Sequence, residues 1–287
     1  MSGLEVVRPG PLTTVQDLGR RGVAHLGVPR AGALDEPALR VANRLVGNPP
    51  GAAALETTVG GVALRALAPA VVAVTGAPAP VRVAGRAAAW GAPVAVPAGA
   101  VIEVGAATHG VRSYLAVAGG IAVSPVLGSR SADVLSGLGP APLAAGDVLP
   151  VGAQPGPYRA ADLVPQPAPP AELVLRLRLG PRADWFEPDA VAWLARDTYR
   201  VAPASNRVGL RTVGPAVTRA RPGELPSEGM VLGAVQIPPD GQPVVFLADH
   251  PTTGGYPVVG VVPQPDLAAA AQARPGIPVR FLLLPAR

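Results

Sequence analysis

Glycine and proline recur so often along this chain that long uninterrupted helices are not expected. Its 287 residues include 35 Gly and 37 Pro, and short apolar runs rich in Ala, Val and Leu stand between them. Many short strands separated by turn residues are typical of β-sandwiches and closed β-barrels. We therefore predict a mainly β protein, built from closed or sandwiched antiparallel sheets with a few short helices.

Three segments carry helical signals. Asp35 can cap the first helix, Pro37 suits its first turn, and apolar residues recur at helical spacing as far as Val46. Two shorter helices fit 189–196 and 266–272. The candidate strands, each bounded by turn residues, are 71–75, 81–83, 101–104, 114–118, 229–237, 244–247, 258–262 and 279–284.

A Pro-rich stretch without periodicity, residues 156–171, indicates a linker between two halves. It predicts an N-terminal β-rich domain over 1–155 and a C-terminal β-barrel domain over 172–287. The second half opens with the clearest strand of the chain, in which leucines from Leu173 to Leu179 alternate with other residues, mostly charged. Such alternation is typical of a strand with one buried face.

The chain has no cysteine and no lysine, so all 24 basic residues are arginines. Disulfides, thiolate nucleophiles, Schiff bases and a P-loop lysine are therefore excluded. Any bound phosphate or carboxylate must be held by arginine, by backbone N–H groups or by a partner subunit. The three histidines, His25, His109 and His250, lie far apart in the sequence, and no metal site is expected.

The net charge of +5 is modest, and the arginines are scattered with few aromatic residues among them. We therefore expect no nucleic-acid partner. The first ten residues carry no apolar signal-peptide core, and every long apolar stretch is broken by arginine or proline. These features predict a cytoplasmic protein with no membrane partner.

Five polar, glycine-containing segments are candidates for ligand binding. In the last of them, Gly254 and Gly255 would let backbone N–H groups approach an anion beside the hydroxyls of Thr252 and Thr253. For any one segment alone, a turn with local side-chain hydrogen bonds is the favoured interpretation. The segments are 13–22, 27–35, 128–133, 205–211 and 252–257.

Taken together, these segments resemble the family that contains the C-type subunit of 5-oxoprolinase, KipA and allophanate hydrolase subunit 2, and part of the carboxyltransferase region of urea carboxylase. The matching runs occur in the family's order and cover nearly the whole chain. They are T-V-Q-D-L-G-R (14–20), G-V-P-x-x-G-A-L-D (27–35), A-N-R-L-V-G-N (42–48), L-E-T-T (55–58), A-V-A-G-G-I (116–121), L-G-S-R-S (127–131), S-N-R-V-G (205–209), S-E-G (227–229) and T-T-G-G-Y-P (252–257). Where the family usually has Gln, this chain has Pro251, which lacks a side-chain amide and a backbone donor.

The resemblance implies two cyclophilin-like β-barrel domains and a complex with a B-type, KipI-like subunit and an A-type, lactamase-like subunit. It implies that this complex opens 5-oxoproline to L-glutamate at the expense of ATP, used with Mg²⁺. Because the chain lacks a P-loop lysine, we expect ATP at a shared interface or in a partner subunit.

Two alternative functions stay open. One is the carboxyltransferase component of a biotin-dependent urea or amide carboxylase, with the biotin on a separate carrier. The other is a non-catalytic, KipA-like regulator that binds a KipI-like inhibitor of a kinase.

Activating a lactam amide by phosphorylation requires cations or N–H dipoles near the transferring phosphoryl group, and a clamp for the substrate carboxylate. Under the resemblance, Asp249 is the candidate proton acceptor, Tyr256 positions the substrate through its hydroxyl, and His25 is a second acid or base. The candidates for binding substrate or phosphate are Arg130, Arg207, Asn206, Thr252, Thr253, Gly254 and Gly255.

Each of these residues also has a structural interpretation. Arg207 would pair with Glu228 or with another buried carboxylate. Arg130 would tie down the end of a barrel, and Asp249 would cap a turn. Tyr256 would belong to the core with its hydroxyl satisfied.

Overall fold

The structure is a computed structural model that describes residues 2–154, 164, 170–223 and 225–285. The chain divides into two compact units, one formed by Met1–Arg20 with Ala31–Ala168 and the other by Arg21–Arg30 with Pro169–Arg287. The predicted linker 156–171 lies almost entirely outside the described residues, so the domain bounds drawn from the sequence stay a prediction. The assignment of Arg21–Arg30 to the C-terminal unit was not anticipated.

The N-terminal unit contains two antiparallel sheets. Their strand orders are β11-β1-β4-β9-β6-β7 and β2-β3-β10-β5-β8. The strands are β1 (Gly3–Arg8), β2 (Thr13–Gln16), β3 (Ala54–Thr58), β4 (Val62–Ala66), β5 (Ala70–Gly76), β6 (Val81–Val83), β7 (Arg86–Ala88), β8 (Val94–Val96), β9 (Val101–Val104), β10 (Arg112–Val117) and β11 (Val148–Pro150).

Strand β5 shows how alternation sorts side chains between two cores. Val72 and Val74 belong to the main core, which takes buried residues from both sheets, whereas Ala73 belongs to a second core under helix α1 (Glu36–Leu45). Successive side chains of a strand point to opposite faces, so a single strand serves both layers. Burial of the apolar side chains stabilises each layer by about 25 cal/mol per Å² removed from water.

Helix α1 begins where the sequence predicted. The Asp35 carboxylate accepts a hydrogen bond of 3.0 Å from the backbone N–H of Ala38, and Pro37 lies in the first turn. The cap satisfies one of the backbone donors that a helix N-terminus leaves without an intrahelical acceptor. Its apolar face, which includes Leu39 and Leu45, packs on β5 and β10.

The C-terminal unit is a closed seven-stranded barrel of order β12-β19-β16-β17-β14-β13-β20, with a two-stranded ribbon β15-β18 beside it. Its strands are β12 (Leu173–Leu179), β13 (Tyr199–Val201), β14 (Gly209–Val213), β15 (Glu228–Gly229), β16 (Ala234–Gln236), β17 (Val244–Phe246), β18 (Thr253–Gly254), β19 (Val258–Val261) and β20 (Pro278–Leu283). Its helices are α2 (Pro188–Arg196) and α3 (Gln264–Gln272).

The barrel closes through a parallel pair, β12 with β20, which runs from Leu173 opposite Val279 to Leu177 opposite Leu283. The expectation of purely antiparallel sheets was therefore wrong at this seam. The alternating leucines of β12 are buried at 173, 175 and 177, as predicted, but Leu179, the last residue of the strand, is 42% exposed.

The predicted mainly β class with a few short helices is confirmed, with about 33% strand and 13% helix. Three predicted polar segments contain strands that the sequence did not reveal. Strand β2 begins the segment 13–22, β14 begins in the segment 205–211, and β18 lies within the segment 252–257. Among the described residues no helix is both long and apolar enough to cross a bilayer.

Candidate functional site

A buried ion pair lies beside the polar segment of the C-terminal unit. Arg207 donates to Asp249 through Nε at 2.9 Å and through Nη2 at 2.8 Å, so both carboxylate oxygens are engaged. The two side chains are only 1% and 0% exposed. A bidentate arginine–carboxylate pair in a buried site fixes orientation strongly, and losing either partner leaves a buried charge.

Antiparallel strand pairing brings Arg207 and Asp249 next to each other, although they are 42 positions apart in the sequence. Strands β14 and β17 pair antiparallel, with Gly209 opposite Phe246. The pairing continues past both strand ends, because the N–H of Asp249 donates to the carbonyl of Arg207 at 3.1 Å. Arg207 therefore pairs with Asp249, and not with Glu228, which is bound by Arg182.

The segment 252–257 is held against the turn that precedes it in sequence. Strand β18 pairs with β15, so that Gly254 lies opposite Glu228, and the carbonyl of Gly255 accepts a hydrogen bond of 3.0 Å from the N–H of Leu225. The ion pair with Arg182 anchors this turn and holds the pKa of Glu228 below its usual value, mainly through the hydrogen bond.

The two glycines of this segment are required by close packing rather than by a left-handed backbone, since neither has a positive φ. A Cβ on Gly254 would lie 3.0 Å from Nε2 of Gln236 and 3.4 Å from Cγ of Met230. A Cβ on Gly255 would lie 3.0 Å from the carbonyl oxygen of Leu225. The sequence had suggested these glycines as backbone donors for an anion, and that role stays a prediction.

Replacing Gly254 by valine is therefore expected to lower the free energy of unfolding of the C-terminal unit by about 1–3 kcal/mol, and with it the melting temperature, because Gln236 and Met230 must move. Gly229 is the matched control: it lies in the paired strand β15, and a Cβ there would meet nothing within 4 Å. Differential scanning calorimetry of Gly254→Val and Gly229→Val tests this. Equal melting temperatures for the two variants would contradict the packing explanation.

The other candidate residues of this unit are held less tightly. Tyr256 is half-buried, and the guanidinium carbon of Arg219 lies 5.7 Å from the centre of its ring, within cation–π range. Asn206 is exposed, and its Oδ1 accepts hydrogen bonds from the N–H groups of Val208 and Gly209. That arrangement is an Asx-type turn, so the amide oxygen is already engaged.

His25 lies on a short 3-10 turn, Ala24–Leu26, and is exposed. The turn belongs to the C-terminal unit and touches the polar segment, because the hydroxyl of Thr252 donates to the carbonyl of Gly27 at 3.5 Å. Thr253 is exposed at the same end of the segment. Within the C-terminal unit the structure therefore brings the regions of His25, Arg207, Asp249 and 252–257 together.

His250 is a buried residue of this segment that the sequence did not single out. It is 6% exposed and stacks on Phe246, with ring centres 6.0 Å apart and planes inclined by 23°. Its Nδ1 lies 2.7 Å from the carbonyl oxygen of Pro251. The only signal in the sequence was its position between Asp249 and the polar segment, and a lone histidine in sequence carries no information about its burial.

The N-terminal unit has a polar cluster of its own, built from segments 14–20 and 127–131. The Asp17 carboxylate accepts hydrogen bonds of 2.6 Å from the hydroxyls of Ser129 and Ser131 and from the N–H of Arg130. The Arg130 side chain donates from Nε to the carbonyl of Val123 at 2.7 Å. Arg130 thus joins a network of the N-terminal unit that links two segments far apart in the sequence, whereas the other candidates belong to the C-terminal unit.

Three buried polar atoms around this network have no hydrogen-bond partner within the described part of the chain: Oε1 of Gln16, Nη1 of Arg20 and Oδ2 of Asp133. The three residues are 0%, 2% and 3% exposed. A buried polar atom without a partner costs about 1–3 kcal/mol. The carboxylate of Asp17 does not carry this cost, because its oxygens accept hydrogen bonds.

A second buried network ties α1 to the five-stranded sheet. The Tyr114 hydroxyl donates to Oε2 of Glu56 at 2.7 Å, and the N–H of Leu34 donates to the same oxygen at 3.0 Å. Nε of Arg112 lies 3.4 Å from the other carboxylate oxygen. Burial, with the nearby Glu56 carboxylate, raises the pKa of Tyr114 well above its usual value. Glu56, from the run L-E-T-T, therefore organises the fold here.

A cluster of three or more His, Asp or Glu side chains able to hold a metal ion is absent from residues 2–154, 164, 170–223 and 225–285. The arginine–carboxylate pairs described above are engaged with each other, whereas Thr252 and Thr253 are half-buried and exposed. The C-terminal unit is thus a β-barrel with polar segments at the ends of its strands.

Residues 26–283 match the model of the family described as carboxyltransferase domain, subdomain A and B, and the chain belongs to this family. It is 39% identical to the C-type subunit of 5-oxoprolinase from Escherichia coli K12, over 97% of this chain and 90% of that protein. The predicted resemblance is therefore confirmed.

Two solved structures show the same fold. The protein TTHA0988 is 41% identical with a TM-score of 0.89, and the match covers 98% of this chain and 55% of that one. The urea amidolyase of K. lactis is 31% identical with a TM-score of 0.90, and the match covers 99% of this chain but 19% of that one. This chain is thus similar both to a separate 5-oxoprolinase subunit and to one part of a larger urea-processing enzyme.

Proposed function

We propose that this chain is the C-type subunit of an ATP-dependent 5-oxoprolinase, which opens 5-oxoproline to L-glutamate together with A- and B-type subunits. The observation that carries this proposal is the similarity to the C-type subunit of the E. coli 5-oxoprolinase, which spans 90% of that protein at 39% identity. A match over nearly the whole length of a separately encoded subunit supports the same role in a complex. The A-type and B-type identities of the partners, and a cytoplasmic location, are part of this proposal.

The polar segment 249–257 supports a site for a small amide. Arg207 and Asp249 hold the start of the segment rigidly, and its hydroxyls, on Thr252 and Thr253, lie half-buried or exposed near its tip. A rigid backbone with exposed polar groups positions a small substrate more accurately than a mobile loop does. In this proposal Thr252, Thr253 and Tyr256 contact the substrate.

ATP enters this reaction as a co-substrate, and two of the candidate residues for binding it are already engaged within the C-terminal unit. The guanidinium of Arg207 donates twice to Asp249, and the amide oxygen of Asn206 caps its own turn. A triphosphate needs several cations or N–H dipoles directed at one point. We therefore assign the binding of ATP and Mg²⁺ to a partner subunit or to its interface with this chain.

Co-expression of this chain with A-type and B-type subunits tests the proposed function. The purified complex, supplied with 5-oxoproline, ATP and Mg²⁺, is expected to release glutamate and ADP in equal amounts. Preparations that contain only the A-type and B-type subunits serve as the control and are expected to release no glutamate. A stable three-subunit complex that releases none would contradict the proposed function.

The second candidate function is carboxyl transfer from a biotin carrier to urea or a related amide. The similarity to the urea amidolyase of K. lactis, over 99% of this chain, favours it. The same complex, supplied with urea, bicarbonate, ATP, a biotin carboxylase and a biotinylated carrier, is the discriminating assay. Carboxylation of urea without any release of glutamate would establish the second function in place of the first. A KipA-like regulatory role predicts instead binding to a KipI-like partner with no turnover of either substrate.

A further inference from the structure

Tyr256 of the polar segment lies against an arginine whose charge no carboxylate of the described residues neutralises. The guanidinium carbon of Arg219 lies 5.7 Å from the centre of the Tyr256 ring. Arg219 donates two hydrogen bonds to carbonyl oxygens, from Nη1 to Gly223 at 3.3 Å and from Nη2 to Ile237 at 2.6 Å. Carbonyl oxygens and the face of a ring stabilise a cation but leave its charge in place.

The other arginines that hold this part of the barrel have carboxylate partners. Arg207 donates twice to Asp249, and Arg182 forms an ion pair with Glu228. The sequence had suggested Arg207 for binding the substrate. A substrate carboxylate would have to displace Asp249 from a buried contact, and separating such a pair is costly. Arg219 requires no such exchange.

The barrel holds Arg219 in place beside the polar segment. Its backbone forms an antiparallel bridge with Phe186. Ile237 links the arginine to the segment, because its carbonyl accepts from Nη2 of Arg219 and its N–H donates to the carbonyl of Pro257 at 3.0 Å. The guanidinium is therefore fixed relative to the residue that follows Tyr256.

The guanidinium of Arg219 keeps hydrogen-bond donors for a further acceptor. Arginine has five N–H donors, and two of them donate to the carbonyl oxygens. The N–H on Nε is enclosed and has no partner among the described residues. One further N–H remains on each Nη atom, and the residue is partly exposed. Donors on two neighbouring nitrogens match the two oxygens of a carboxylate.

Resting on the proposed function, we infer that Arg219 binds the carboxylate of 5-oxoproline through its Nη atoms, with the Tyr256 ring beside the bound substrate. Arg219 is then a specificity-determining residue, which favours amide substrates that carry a carboxylate over neutral amides. The step is binding only, and the guanidinium supplies charge-assisted hydrogen bonds, which are stronger than those between neutral groups. Urea carries no charge for this guanidinium to bind, so Arg219 contributes little to the second candidate function.

Two lactams separate this role from a structural one. 5-Oxoproline and 2-pyrrolidinone share the same lactam ring, but only 5-oxoproline carries a carboxylate. Arg219→Met removes the charge and keeps an unbranched side chain beside Tyr256. Isothermal titration calorimetry of the chain, alone and in the three-subunit complex without ATP, is expected to show a Kd for 5-oxoproline about 10- to 100-fold higher in Arg219→Met than in wild type. The Kd for 2-pyrrolidinone should be the same in both.

Arg221→Met is the matched control. The guanidinium carbon of Arg221 also lies over a ring, 5.9 Å from the centre of Trp185, but Arg221 pairs with Asp184 and both charged side chains are about half exposed. We expect this variant to bind both lactams as the wild type does. Arg219→Lys keeps the charge without the planar fork and is expected to lie between wild type and Arg219→Met.

Steady-state kinetics of the three-subunit complex give a second readout. Arg219→Met is expected to raise KM for 5-oxoproline by about 10- to 100-fold and to change kcat far less. The carboxylate takes no part in the ring opening, so its binding contributes equally in the ground state and in the transition state. Arg221→Met should change neither constant. A fall in kcat at an unchanged KM would overturn the inference, because Arg219 would then act on the reaction and not on the carboxylate.

The outcomes distinguish failure of the inference from failure of the proposed function. If the wild-type complex releases glutamate and Arg219→Met has the wild-type Kd and KM for 5-oxoproline, the inference fails while the proposed function stands. If the complex releases none, but Arg219→Met selectively loses affinity for 5-oxoproline, the proposed function fails and the carboxylate site stands. An equal loss of affinity for both lactams would show that Arg219 only supports the fold. Wild-type protein that binds 5-oxoproline no more tightly than 2-pyrrolidinone, alone and in the complex, would likewise overturn the inference.

Discussion

Replacing Arg207 by alanine is expected to lower the free energy of unfolding of the C-terminal unit by about 3–5 kcal/mol, because the carboxylate of Asp249 would be left buried without its main partner. Both side chains are almost completely buried, and their contact is bidentate. Taking a carboxylate out of water is costly unless a cation and hydrogen bonds compensate for the lost hydration. The loss would also release the start of the segment 249–257 and so reduce turnover.

Urea unfolding followed by tryptophan fluorescence measures this effect. In a Trp90→Phe background the signal comes from Trp185 and Trp193, which both lie in the C-terminal unit. The matched control is Arg280→Ala. It breaks a bidentate ion pair between Arg280 and Glu172, which lies exposed on the surface of the same barrel. Solvent compensates for lost exposed pairs, so this control is expected to change stability far less.

A double variant separates the charge from the packing. Arg207→Met combined with Asp249→Leu removes both charges and keeps apolar volume, so it is expected to recover most of the stability that Arg207→Ala loses. Turnover should nevertheless stay low, because the apolar pair lacks the directional contact that holds the start of the segment 249–257. Equal destabilisation by Arg207→Ala and by Arg280→Ala would show that the buried pair contributes no more than an exposed one.

The second large effect is expected at Glu56 in the N-terminal unit. Glu56→Ala removes the acceptor for the Tyr114 hydroxyl and the Leu34 N–H, and it leaves the buried guanidinium of Arg112 without this carboxylate. Losing one partner of a buried charge pair costs about 3–5 kcal/mol. The start of α1 would loosen as well, because Tyr114 also accepts a hydrogen bond from the N–H of Asp35.

Trp90 reports on this unit when Trp185 and Trp193 are replaced by Phe. Glu5→Ala is the control. It removes a carboxylate of the same unit, but the arginine that pairs with it, Arg65, has a side chain that is 45% exposed. We expect urea unfolding to show a large loss for Glu56→Ala and a small one for Glu5→Ala. A small loss for both would mean that the network around Tyr114 does not stabilise the unit.

Several elements of the fold followed from local sequence rules. The cap at Asp35 and the proline at 37 predicted the start of α1, and the structure contains that cap. The alternating leucines predicted β12, whose first three leucines are buried. These predictions succeed because a helix cap and a strand face depend on residues within a few positions of each other.

The candidate site was predicted only in part. The sequence marked Arg207, Asp249 and the segment 252–257, but it suggested separate roles in binding and catalysis for Arg207 and Asp249. The structure pairs them with each other across 42 residues. In the same way, Asp17 meets Ser129 and Ser131 from more than 110 positions away. No local rule specifies such pairings, because they depend on which strands become neighbours.

The sequence by itself determined the class of fold, the absence of cysteine and lysine chemistry, and the polar segments that carry the family resemblance. These depend on composition, periodicity and short runs of residues, which are present in the unfolded chain. Only the tertiary structure decided the closure of the barrel through the parallel pair of β12 and β20, the pairing of Arg207 with Asp249, and the burial of His250 against Phe246. Burial and long-range pairing exist only once the strands have packed, and they decide which side chains hold the fold together and which can act on a substrate.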